Sequence, residues 1–187
     1  KEKIRKIVKI GFPSAIQDSL FSAISMVIAR LVAGWGDAAV AVQKVGSQIE
    51  SISWMMAGGF STAVNAFIAQ NYGAGKKERI QKGYRTALMI MGAWGIFTGF
   101  LLMAFPEVFF KMFIKEPDVI PMGVEYLRIV GISELFMCLE GAATGAFQGL
   151  GKTIPPSVTG ITFNVLRIPA AMLLSKTALG LNGIWWV

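Results

Sequence analysis

Three carboxylates stand inside long apolar stretches of this chain: Asp18, Glu50 and Glu140. On insertion scales a charge at membrane depth costs about 2.5–3.5 kcal/mol, so such groups tend to face a protein interior or a water-filled cavity. There a carboxylate can carry a proton, or trade a cation for a cationic solute. Each of the three lies on a polar stripe at helical spacing. Ser14, Asp18, Ser22 and Ser25 form the first stripe, with Gln17 beside it. Gln43, Ser47, Glu50 and Trp54 form the second, with Lys44 and Gln48 adjacent. Ser133, Met137, Glu140, Thr144 and Gln148 form the third, and Gly160, Asn164 and Arg167 share a fourth face.

A second reading competes at every one of these positions: the carboxylates pair with Lys44, Arg128 or Arg167 and hold helices together. Glu125, Arg128 and Lys44 lie near the ends of their apolar stretches and read best as structural. Asp18 and Glu140 lie deeper and have no opposite charge one turn away, which favours a cavity role. Glu50 and Arg167 fall between the two cases. The candidate substrate- or ion-binding set is therefore Asp18, Gln17, Gln48, Glu50, Glu140, Asn164 and Arg167.

Other chemistry finds no foothold. The chain has no histidine and one cysteine, Cys138, in an apolar segment that suits a small packing residue. "GLGKT" (149–153) would need glycine at 146 to match a phosphate-binding loop, and Ala146 stands there. No spacing suggests a nucleophile–base pair, so the expectation is a protein that is not an enzyme, with no cofactor and no metal site.

The elements that must position the polar stripes are membrane helices. Of 187 residues, 54% are hydrophobic and only 16% charged, against about 25% charged in soluble proteins. The stretch 51–68 carries no formal charge, nor does 86–105, and 154–175 carries Arg167 alone. About 20 apolar residues suffice for a helix to cross the hydrocarbon. The reading is an all-α, polytopic membrane helix bundle: a single lobe with spans at 10–33, 38–72, 86–105, 119–149 and 154–175, and the start of a sixth. Asp37 is expected to cap the second span, Gly73-Ala74-Gly75 to end it, and "PEVFFKMFIKEPD" to lie at the membrane interface. The chain opens on Lys1 and ends within what reads as a further apolar segment, which suggests a fragment of a longer protein.

The net charge of +7 sorts by side. Alternating spans place Lys1, Lys3, Arg5, Lys6, Lys9, Lys76, Lys77, Arg79, Lys82, Arg85 and Lys152 on one face, eleven of eighteen basic residues. By the positive-inside rule that face, with the N-terminus, is cytoplasmic. "GAGKKERIQKGYR" then reads as a cytoplasmic turn that can touch anionic membrane lipid, and no nucleic-acid partner is expected.

Five motifs in order carry a family resemblance: "KIGFPSAIQDSL", "AVAVQKVGSQIESISWMMAGGFSTAVNAFIAQNYGAGKKERI", "GAFQGLGKT", "VLRIPAAMLL" and "LGLNGIWW". Together they resemble the multidrug and toxic compound extrusion (MATE) transporters, over nearly the whole chain. The resemblance implies one lobe of a two-lobe fold, the second, with the N-terminal lobe of the same polypeptide missing. It implies secondary antiport in the cell (plasma or inner) membrane, in which organic, often cationic, small molecules leave as Na+ or H+ enters. It also implies acidic residues in the lobe's first, second and fourth spans, where Asp18, Glu50 and Glu140 occur. At the family's usual acidic positions within those spans this chain has Phe21, Gln48 and Met137. A lipid-linked oligosaccharide flippase or polysaccharide exporter of the same superfamily is the alternative, and a membrane-embedded enzyme or assembly subunit a third class.

Overall fold

The computed structural model describes residues 2–187, and the side chains of residue 8 and of residues 11–187. The order is α1 (Glu2–Ala33), α2 (Asp37–Gly73), α3 (Lys77–Ala104), α4 (Pro106–Lys111), α5 (Ile120–Gly149), α6 (Ile154–Leu174) and α7 (Leu181–Trp185). Five of these helices are long and apolar enough to cross a membrane: Gly11–Ala33 of α1, and α2, α3, α5 and α6. The chain is an all-helical membrane bundle. The basic side chains at Lys1, Lys3, Arg5, Lys6 and Lys9 lie outside the described ones.

The centre of the bundle is α5, which runs between α2 and α3. Small residues make this possible, because lipid tails offer no hydrophobic drive and helices associate through close packing. On the α3 side, a Cβ built on Gly95 would stand 2.8 Å from Leu135 Cα, and one on Gly99 would stand 2.6 Å from the Gly131 carbonyl oxygen. On the α2 side, a Cβ on Gly149 would stand 2.6 Å from the Asn65 carbonyl oxygen, and one on Gly145 would run into Ser61. The Tyr126 ring lies directly over Gly46. Pairs 46/126, 61/145 and 65/149 show that α2 and α5 run parallel, whereas 95/135 and 99/131 make α3 antiparallel to α5. Apolar packing completes this unit through Val42, Ile49, Leu102, Phe110, Leu127 and Val130. A second group, α1 with α6 and α7, packs around Ile24, Ile28, Val32, Ala171 and Ile184.

Outward faces are apolar too. Met26, Met55, Phe100, Phe136 and Leu173 are each more than 60% exposed, a surface that hydrocarbon covers in a membrane and water does not.

Both turns that follow the parallel helices close in the same way. Gly75 (φ 68°) donates to the Tyr72 carbonyl and Lys76 to Asn71; Gly151 (φ 70°) donates to Gln148 and Lys152 to Phe147. This is the Schellman stop, which requires a left-handed residue just past the helix. "GLGKT" is thus a helix terminator. The structure corrects two local readings. The segment 73–85 is a short turn at 74–76 followed by the first turns of α3, because Lys, Glu, Arg and Gln are good helix formers even where they are too polar for the membrane. Asp37 is the first helical residue and makes no side-chain cap; Gly36 holds the cap position at φ 102°, a conformation that disfavours any Cβ. The interfacial segment contains α4, where the hydrogen bond and charge of Lys111, 2.5 Å away, hold the exposed Glu107 carboxyl below its ordinary range.

Two predictions follow from this packing. Gly99→Val forces α3 from α5 and destabilises the protein by about 1–3 kcal/mol. Gly92→Ala, whose Cβ would meet only Leu139 at 3.7 Å, is neutral or gains up to about 1 kcal/mol; thermal unfolding in detergent compares the two. Gly151→Ala loses about 1–2 kcal/mol to left-handed strain, and Gly151→Asn loses less, by the same measurement.

Candidate functional site

The polar groups gather along the seam between α1/α6 and α2/α5. Glu50 on α2 is half-buried and accepts a hydrogen bond from Trp54 Nε1 at 3.0 Å. Tyr126 on α5 and Arg167 on α6 stand around it. The Arg167 Nε is buried and has no hydrogen-bond partner. One and two turns earlier on α6 are Asn164, whose Nδ2 donates to the Gly160 carbonyl at 2.9 Å, and Gly160 itself, which the Gln17 amide of α1 packs against. Aromatic pairs frame the seam: Phe21 against Trp54 at 6.0 Å joins α1 to α2, and Tyr126 against Trp185 at 5.2 Å, edge to face, joins α5 to α7. At the α5–α7 junction Asn182 donates to Glu125 at 2.8 Å.

Of the seven sequence candidates, Glu50 and Arg167 stand near each other at this seam, and Gln17 and Asn164 lie close by on the α1–α6 contact, two turns and one turn along α6 from Arg167. The other three, Asp18, Gln48 and Glu140, are exposed on the lobe. The expected structural pairings are not made within 4 Å: among the described residues the one ion pair that short is Lys111–Glu107. Glu50 and Arg167 stand near each other but make no ion pair within 4 Å. That leaves both groups able to meet a third, such as a cation at Glu50 or an anionic or hydrogen-bonding group at Arg167. Cys138 is fully buried among Ala57, Met91 and Ala142.

One carboxyl was missed among the candidates. Glu134 on α5 is only 1% exposed, with Ser53 Oγ of α2 at 2.5 Å and Thr98 Oγ1 of α3 at 3.3 Å, both from Oε2. Its signal in the sequence is a negative one. Glu134 falls on the small and apolar stripe of Leu127, Val130, Cys138 and Ala142, not on the polar stripe of Glu140. A carboxylate on the packing face of a span is the anomaly that marks it.

Comparison with known proteins bears on this arrangement. A probable multidrug resistance protein NorM of Thermotoga maritima is 30% identical over 97% of this chain, which covers 39% of that protein. Human multidrug and toxin extrusion protein 1 is 26% identical over 76% of the chain, covering 25% of its own length. Among solved structures, an outward-facing multidrug resistance MATE family transporter of the MOP superfamily matches 97% of the chain with a TM-score of 0.90 at 17% identity, over 40% of its length. A MATE structure in complex with MaD3S matches with a TM-score of 0.91, also at 17% identity, over 97% of the chain and 41% of its own length. At that identity the structures establish the fold alone. The chain thus spans about two fifths of the length of the first of these relatives. The MatE family profile matches residues 13–173, so the chain belongs to the MatE family.

Proposed function

We propose that this chain is the second lobe of a multidrug efflux antiporter, which exports organic, cationic compounds in exchange for Na+ or H+. The observation that carries the reading is the polar interior around Glu50 and Arg167, with Gln17 and Asn164 close by on the α1–α6 contact, in a lobe much of whose surface is suited to lipid. Asp18 and Glu140 support it. Exposed on spanning helices, they would cost about 2.5–3.5 kcal/mol each against hydrocarbon. Facing a watery cleft closed by another lobe, they avoid that cost and attract a cation. The names of the relatives, multidrug resistance and toxin extrusion proteins, agree with export, and none of these relatives supports the flippase alternative.

In this mechanism the remaining lobe of the same polypeptide supplies the opposite wall of the cleft. Rocking of the two lobes exposes the carboxylates to each side in turn. A cation bound on one side is exchanged for a cationic solute on the other, since one carboxylate cannot hold both. The protein sits in the cell membrane with the 74–85 segment, Lys152 and the N-terminus of this chain in the cytoplasm, where the basic side chains meet anionic lipid. This lobe by itself transports nothing.

The mutants separate cleft groups from structural ones. Asp18→Asn or Glu140→Gln lowers efflux of a cationic dye from cells, while the unfolding temperature of the purified protein is unchanged. Full efflux by both variants sinks their part in the exchange. Glu50→Gln lowers efflux too, and costs only about 1 kcal/mol or less in stability, because no direct ion pair with Arg167 is broken. Orientation is read separately, in a Cys138→Ser background: a cysteine at position 116 reacts with impermeant reagent in intact cells, and one at position 77 does not.

A further inference from the structure

Helix α3 carries positive charge on the side that faces away from the protein. Its buried stripe is Ala87, Met91, Gly95, Gly99 and Leu102, packed on α5 and α2. The opposite side is exposed from end to end. Arg79, Lys82 and Arg85 follow one another at three-residue intervals at its start. Below them the same side is apolar: Met89, Phe97 and Phe100 are each more than half exposed. One side of the helix thus passes from a basic head to a hydrocarbon stripe, the order of a phospholipid itself.

The depths agree. Residues 86–104 of α3 carry no formal charge, and at 1.5 Å per residue they make about 28 Å of helix, close to the thickness of the hydrocarbon. Arg85 therefore stands at the hydrocarbon edge, with Lys82 about 4.5 Å and Arg79 about 9 Å further out. The headgroup layer is about 5–7 Å deep on each side, so the three side chains sample all of it. Their long stems can lie on the apolar surface while the charged ends reach the phosphates. Glu78 lies one turn before Lys82, yet no carboxylate comes within 4 Å of the three cations among the described residues. Lower on the same side, Ala93 is exposed between Met89 and Phe97. This small residue at four-residue spacing leaves a step in the apolar surface where an acyl chain can lie.

We propose that the outer side of α3 binds an anionic phospholipid, its phosphate held by Arg79, Lys82 and Arg85 and an acyl chain lying along Met89, Ala93 and Phe97. The apolar continuation assigns the ligand to a lipid and not to a free phosphate. The site lies behind the α2/α3/α5 unit, on the side of α3 away from the Glu50–Arg167 seam, so a lipid there does not compete with an exported solute. Only its leaflet rests on the proposed orientation, which labelling at positions 77 and 116 tests separately. Lys76 and Lys77 are the internal control. Lys76 precedes the helix, and the helical period puts Lys77 on another side of α3 from Arg79. A general attraction of the basic rim for the membrane would use them equally.

The experiment uses the purified full-length protein, stripped of lipid in an uncharged detergent. Thermal unfolding is followed as phosphatidylglycerol, phosphatidylcholine of the same acyl chains, or inorganic phosphate is added. Phosphatidylglycerol raises the unfolding temperature and phosphatidylcholine does not. Arg79→Gln/Lys82→Gln/Arg85→Gln loses the response. Each substitution alone raises the half-saturating lipid concentration about fivefold, and Lys76→Gln/Lys77→Gln titrates like the parent. Equal responses to the two lipids overturn the proposal, as does a triple variant that still responds. A Lys76→Gln/Lys77→Gln variant that loses as much overturns it too, by showing bulk attraction. A shift with inorganic phosphate that the triple variant loses identifies a free-anion site and overturns the lipid. If the triple variant does not fold, Lys82→Gln serves, and an unchanged half-saturating concentration overturns the site.

Discussion

Contact between backbones, with no side chain between them, holds this lobe together. Gly95 and Gly99 of α3 meet α5 at Leu135 and Gly131, and Gly145 and Gly149 of α5 meet α2 at Ser61 and Asn65. In hydrocarbon no hydrophobic effect draws one helix to another, so close approach and the dispersion contacts it permits must serve. Three helices are drawn into a tight unit as a result. Glu134 is enclosed at its middle because glycine and alanine bring the neighbouring hydroxyls, Ser53 and Thr98, within reach. Further along the α2–α5 contact, Tyr126 occupies the space over Gly46 and borders the polar seam.

The seam has the opposite character. Between α1/α6/α7 and α2/α5 the helices are held by long side chains, Phe21 on Trp54 and Tyr126 on Trp185, while Gln17 on Gly160 joins α1 to α6. Charges there stop short of one another. A packed seam with a closed ion pair would be a structural joint, and between Glu50 and Arg167 no such pair closes within 4 Å. The lobe thus combines a close-packed half that fixes geometry with a more open half that carries the polar chemistry.

Much of this could be read from residue spacing. The polar stripes around Asp18, Glu50 and Glu140 follow the period of a helix, and of the named residues Glu50 and Arg167 stand near each other. Hydropathy found the apolar stretches but not the helices that contain them. Helix α3 starts at Lys77, nine residues before its apolar run, since polar helix formers continue a helix beyond the hydrocarbon. The sequence points to Asp37 as the cap of α2 because side-chain chemistry is visible in a sequence, whereas the backbone angle Gly36 adopts is not. Glu134 does not stand out in the sequence for a related reason. Burial by two other helices is a property of three segments together, and no single stripe displays it.

The twin terminators have an electrostatic consequence. Parallel helices align their dipoles, so α2 and α5 bring two partially negative ends to the same rim of the lobe, an arrangement that repels itself. Each stop is followed at once by a lysine: Lys76 after Gly75, and Lys152 after Gly151. An ammonium group is therefore carried at the point where each helix leaves its last carbonyls exposed. Each lysine thus offsets part of the repulsion between the two aligned helix ends.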